Sequence, residues 1–129
     1  MSYLETEIDE ALENSGIENK KLDTVELEAL ITPLRQFFYG AGKGLLDPVE
    51  LRVKHSEHNP DFWQEVSERI LSNDLILVVF DTAYRAWGIE TSEQLKRVLS
   101  ETTGYPFWIT DRRFSFLVYV DDHDCVSWA

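Results

Sequence analysis

Six consecutive apolar residues, Leu75-Ile76-Leu77-Val78-Val79-Phe80, constrain this chain more than anything else in it. The run is too short for a helix and rich in β-formers, so it predicts the central strand of a sheet. Further strands are expected around it. Tyr84 to Ile89 predicts one, and Phe107 to Thr110 with Phe114 to Val120 predicts a hairpin turning at Asp111-Arg112-Arg113. Cys125 to Trp128 adds a short last strand. Val49, Leu51 and Val53 alternate with Glu50, Arg52 and Lys54, which is the period of a half-buried strand.

Helices are marked by their caps. Ser2-Tyr3-Leu4-Glu5 is a capping box that opens a first helix, with Leu4, Ile8 and Leu12 as its buried stripe and Gly16 as its terminator. A second helix is expected from Asp23 or Thr24, with Leu27, Leu30, Ile31 and Leu34 at helical spacing and a kink or restart at Pro33. Asn59-Pro60 predicts the start of a third, with Phe62, Val66 and Ile70 inward. Thr91-Ser92-Glu93-Gln94 opens a fourth, carrying Leu95, Val98 and Leu99 inward and ending at Gly104. Helices first, then strands interspersed with helices, predicts an α+β fold: a mostly antiparallel sheet of about four to six strands with helices packed on one face. With 129 residues and no long Pro/Gly/Ser linker, residues 1–129 read as one domain. Its acidic helical part spans 1–39 and its mixed sheet and helices 49–129.

Charge narrows the range of partners. The chain carries 24 acids against 12 bases, a formal net charge of −12. Nine of the acids, against Lys20 and Lys21 alone, fall within residues 1–31. A phosphate backbone would be repelled, so no nucleic-acid partner is expected. The lone Cys125 excludes a disulfide framework and a Cys-based zinc site. No run of 18 apolar residues and no basic, apolar leader is present at Met1 to Glu5. No membrane association, a cytoplasmic location and a reduced Cys125 are therefore expected.

Most motifs that suggest chemistry fall short of it. Gly40-Ala41-Gly42-Lys43-Gly44 resembles a phosphate loop only in glycine content. It follows a predicted helix, Phe37 stands where the first glycine belongs, and Gly44 replaces the magnesium-holding Ser or Thr. His55 and His58 are read as surface polar residues at a strand end and in a turn. No metal and no cofactor is expected, and no catalytic residue is assigned. Asp121-Asp122-His123-Asp124 is the densest polar group, directly after an apolar strand. It reads as an exposed turn, as a partner-binding acidic patch, or as a metal-dependent catalytic group. Of the four tryptophans, Trp63 and Trp108 are expected in the core. Trp87, beside Gly88, is the candidate exposed anchor. Partner binding is accordingly assigned to Trp87, Asp121, Asp122, His123 and Asp124.

The C-terminal third carries a further pattern. Trp87-Gly88-Ile89 precedes the helix of Leu95 and Leu99, followed by Gly104-Tyr105-Pro106-Phe107-Trp108-Ile109, Phe116-Leu117 and Asp122-His123-Asp124. This resembles small immunity-type proteins, and uncharacterised relatives, of bacterial toxin–immunity loci. The resemblance implies a stoichiometric inhibitor of a cognate toxin protein. Acidic charge suits a basic toxin through complementary fields. A small binding or regulatory domain of another kind is the alternative.

Overall fold

A computed structural model describes residues 3–40, 46, 50–102 and 104–129. Its strands are β1 (Asn19–Lys21), β2 (His55–His58), β3 (Leu75–Asp81), β4 (Ala83–Ile89), β5 (Phe107–Asp111), β6 (Leu117–Val120) and β7 (Cys125–Trp128). They form one sheet in the order β1-β4-β3-β5-β6-β7-β2. Every pairing is antiparallel. β3 lies between β4 and β5, with Leu77 opposite Trp87 on one side and Ile109 on the other. The apolar run is therefore an interior strand, as expected. Among the described residues the sheet has seven strands, one more than the expected range.

Among the described residues, four helices cover the sheet: α1 (Tyr3–Asn14), α2 (Thr24–Phe38), α3 (Phe62–Arg69) and α4 (Ser92–Glu101). Leu75, Leu77 and Val79 share a core with Ile8 and Leu12 of α1, Phe62 and Val66 of α3, and Leu95 and Val98 of α4. Ile76 and Val78 point the other way and pack with Leu30, Leu34 and Phe38 of α2. Three helices thus share a face, as expected, and α2 takes the opposite one. The physical reason lies in β3 itself. Its side chains alternate between faces, and each aliphatic one buried contributes about 1.5–3 kcal/mol. An uncovered second face would forfeit that for Ile76 and Val78.

Local capping follows the sequence closely in two helices. Asp23 and Glu26 form a reciprocal capping box at α2, and Thr91 and Gln94 form another at α4. Gly16, beyond α1, has φ +64°, a conformation that suits glycine. Ser2, the expected cap of α1, lies outside the described residues. Pro33 does not restart α2, which runs unbroken through it. The carbonyl that Pro33 leaves without an amide belongs to Ala29, which is exposed and open to water. α3 starts at Phe62 rather than Pro60, because Asn59 Oδ1 accepts from Asp61 N (3.1 Å) and holds a turn ahead of the helix.

Strand boundaries moved more. The alternating segment at Val49 to Val53 is not a ladder strand where described: Leu51 makes one isolated bridge to Tyr39, and Val49 lies outside the described residues. Pairing with β7 begins instead at His55. β1, not foreseen, is an exposed three-residue edge carrying Lys20 and Lys21, and charged short edges discourage pairing with other chains. The predicted Asp111-Arg112-Arg113 turn is present. Asp111 Oδ1 accepts from Arg113 N and Ser115 N at 3.0 Å each. Burial pushes the Asp111 carboxyl up, but hydrogen bonds from Ser115, Ser72 and Arg113 outweigh it and hold it below its ordinary value.

Thr82, between β3 and β4, has φ +59°. A β-branched residue is strained there by about 1–2 kcal/mol relative to glycine. Thr82→Gly is expected to raise stability by about 0.5–1 kcal/mol once the extra unfolded-state freedom of glycine is subtracted. A urea midpoint at or below wild type would show that the turn carries no such strain.

Candidate functional site

The five residues assigned to partner binding do not end up together. Trp87, expected as an exposed anchor, is fully buried. It lies on β4 under α1, where its Nε1 donates to Asp9 Oδ1 at 2.9 Å and Lys21 Nζ sits 5.8 Å from the ring centroid. β4 escapes the edge of the sheet because β1 pairs along it, Lys21 opposite Trp87. The acids of α1 are partly spent on the same arrangement. Lys21 Nζ bridges Glu5 (2.7 Å) and Asp9 (2.9 Å), and Arg85 Nε lies 3.2 Å from Glu5.

Asp121-Asp122-His123-Asp124 is the turn between β6 and β7. Asp121 is half-buried and structural: its Oδ1 accepts from His123 N and Cys125 N, both at 2.9 Å. Asp124 has φ +63°, which Asp and Asn tolerate better than other residues. Its carbonyl accepts from Asn59 N at 2.9 Å, tying the turn to the chain entering α3. Asp122, His123 and Asp124 are exposed, and His123 Nε2 lies 3.7 Å from Asp122. Asp121→Ala is therefore expected to cost about 1–2 kcal/mol, whereas Asp122→Asn should stay within about 0.5 kcal/mol of wild type. Denaturation of both variants separates the turn's support from its free charge. Equal losses would remove the distinction.

The turn forms one rim of a cleft of about 190 Å³. Its floor is the margin of the core: Phe62 of α3, Leu99 of α4, Phe107 of β5 and Val120 of β6. Trp63 and Tyr105, both half-buried, line it as well, with Asp121, Asp122 and Asp124 on the hairpin side. Tyr105 shares a 2.6 Å hydrogen bond with Thr102, whose hydroxyl also donates to Val98 O at 3.0 Å. Burial pushes the Tyr105 hydroxyl up to about 12, against the Thr102 bond, with Glu7 adding to the rise. Tyr105 is thus a neutral ring across the physiological range. Thr102 stands at the C-terminal end of α4, the partially negative end of a helix, and the last turn there carries no basic residue.

The cleft is small. At about 190 Å³ it is smaller than the ~300–1,000 Å³ of pockets that enclose drug-sized ligands. Among the described residues that line it there is no Lys, Arg or His. Among the described residues, negative charge and aromatic surface therefore meet here with no basic side chain in the lining.

Trp63 and Tyr105 are the lining residues that sequence reasoning did not assign to a site. Trp63 was expected in the core and packs half-buried against it, beside the inward stripe of Phe62 and Val66. A residue one position from that stripe lies about 100° round the helix, so its half-exposed place was legible in the spacing. Tyr105, between Gly104 and Pro106, reaches the cleft only because α4 ends beside the hairpin. Trp108 is buried as expected, its Nε1 donating to Tyr39 Oη at 3.0 Å.

Other motifs stay apart from the cleft. His55 and His58 are exposed on β2, and three residues along a strand place them on opposite faces. Glu57 between them accepts two bonds from Arg69, at 2.5 and 2.8 Å. That guanidinium lies over the rings of Phe62 (5.5 Å) and Trp128 (5.3 Å). Among the described residues no group of three His, Cys, Asp or Glu side chains is placed to hold a metal ion. No helix is long and apolar enough to cross a membrane, again among the described residues. Of the glycine cluster, Ala41 to Gly44 lies outside them. No protein-family model matches the chain, and neither a curated protein nor a solved structure is significantly similar to it.

Proposed function

We propose that this chain is a protein-binding inhibitor of the immunity type, which neutralises a basic cognate toxin by docking it against an acidic surface. The observation that carries the reading is the cleft beside the β6–β7 turn. It sets Asp122 and Asp124, both exposed, next to Trp63 and Tyr105 in a space suited to one side chain. Half-buried aromatics ringed by polar groups are where interface energy concentrates, and rim charges steer association. A net charge of −12 extends that field over the whole molecule. The C-terminal resemblance to immunity-type proteins points the same way, because Gly104 to Ile109 and Asp122 to Asp124 supply parts of this cleft. The anchor is transferred from the buried Trp87 to Trp63. The enzyme alternative fits less well, since Asp121 is committed to the turn and His123 projects into solvent.

The test is surface plasmon resonance against the protein encoded by the neighbouring gene, at low and at physiological salt. Nanomolar binding with an association rate that falls as salt rises is expected. The same protein should lose its toxicity when this chain is co-expressed. Absence of binding, or a salt-independent association rate, would overturn the inhibitor reading.

A further inference from the structure

Resting on that reading, we propose that the cleft between α3, α4 and the β6–β7 turn receives an arginine side chain of the partner protein. The space, about 190 Å³, suits a single long side chain. Its sign is set from three directions. Asp122 and Asp124 stand on the hairpin rim, the negative end of α4 lies at Thr102, and Glu7 is near enough to act on Tyr105. Among the described residues the Asp124 carboxylate has no hydrogen-bond or ion-pair partner, so it need not be released from one before binding. The walls favour a guanidinium over an ammonium. Trp63 and Tyr105 offer ring surface on which a planar cation stacks, and two carboxylates suit its forked donors. The chain already accommodates one guanidinium in this manner nearby, where Arg69 lies over Phe62 and Trp128 and pairs with Glu57. Phe62 is common to that arrangement and to the cleft.

The experiment is an NMR titration of the ¹⁵N-labelled full chain with a capped Ser-Gly-Arg-Gly-Ser peptide. Matched peptides carry citrulline, which keeps the shape but not the charge, or lysine. The Trp63 indole N–H and the amides of Tyr105 and Asp122 are expected to move with the arginine peptide, with a dissociation constant on the order of 1 mM. Affinity should fall roughly threefold to tenfold with citrulline and in the Asp122→Asn, Asp124→Asn double variant. Asparagine is chosen because it tolerates the φ of Asp124. Equal shifts with citrulline, stronger binding of lysine, or movement confined to other parts of the surface would each overturn the proposal.

Trp63→Leu, tested against the toxin partner, distinguishes this inference from the reading beneath it. A dissociation rate raised at least tenfold supports the cleft as the anchor site. Unchanged kinetics in this variant and in the double Asp variant would remove the cleft while leaving the inhibitor in place. Arginine binding in the cleft without any binding of the neighbouring gene product would keep the cleft and remove the inhibitor.

Discussion

Trp87→Ala is expected to lower the free energy of unfolding by about 3–5 kcal/mol, the cost of emptying a large aromatic site in a core. Trp87 is fully buried, faces Leu77 across the ladder and lies under α1. Against a total stability of about 5–15 kcal/mol, the variant keeps a marginal fold at best. Two further variants divide the effect. Trp87→Phe retains most of the apolar contact and removes the donor to Asp9. Asp9→Ala removes the acceptor and leaves the indole N–H unsatisfied, which costs about 1–3 kcal/mol. Urea unfolding followed by far-ultraviolet circular dichroism measures all three, since fluorescence changes with the tryptophan itself. An alanine variant within about 1 kcal/mol of wild type would contradict the burial of this ring. Because the ring is buried, the effect of Trp87→Ala on partner binding is expected to be indirect, through loss of the fold.

Arg69→Ala is expected to cost about 2–3 kcal/mol, combining a charge-assisted bidentate pair with the stem and guanidinium that cover Phe62 and Trp128. The pair also predicts an acid-labile component of stability. The Arg69 guanidinium, acting against burial and helped by bonds from Asn59 and His55, holds the Glu57 carboxyl at about 2, below its ordinary 4.5. Between these values the unfolded chain binds a proton that the folded chain does not, so stability rises with pH. The contribution is complete above about 4.5 and is lost as pH falls through about 2. In Arg69→Ala, that part of the acid dependence should shrink. Urea midpoints of both proteins across this range provide the check. Parallel curves would mean that Glu57 titrates alike with and without Arg69.

How far the fold was legible depended on whether its cause was local. Capping boxes involve four neighbouring residues, so Asp23 with Glu26 and Thr91 with Gln94 could be read directly, Thr91 through Gln94 as a cap and Asp23 as a helix start. The Asp111 turn is likewise local. β1 could not be found this way: Asn19-Lys20-Lys21 has no apolar alternation, and only pairing with β4 makes it a strand. That one omission moved Trp87 from the core to an imagined surface. Val49 to Val53 failed in the opposite sense, having the alternation of a strand without, where described, a ladder partner beyond the Tyr39 bridge.

The amino-acid order alone determined the α+β class, the interior position of Leu75 to Phe80, the inward stripes of α1, α3 and α4, and the excess of negative charge. Each follows from side-chain chemistry at fixed spacing, which does not depend on distant partners. Tertiary structure decided the second covered face, because the alternation of β3 demands apolar neighbours on both sides but does not name α2 as the one that supplies them. It also decided the candidate site. Asp122 and Asp124 lie about sixty residues from Trp63 along the chain, and Tyr105 stands between. They meet only because β7 pairs with β2, which draws the start of α3 against the β6–β7 turn, with the end of α4 beside it. A pairing between strands so far apart in sequence is set by the packing of the whole sheet, and no local pattern encodes it.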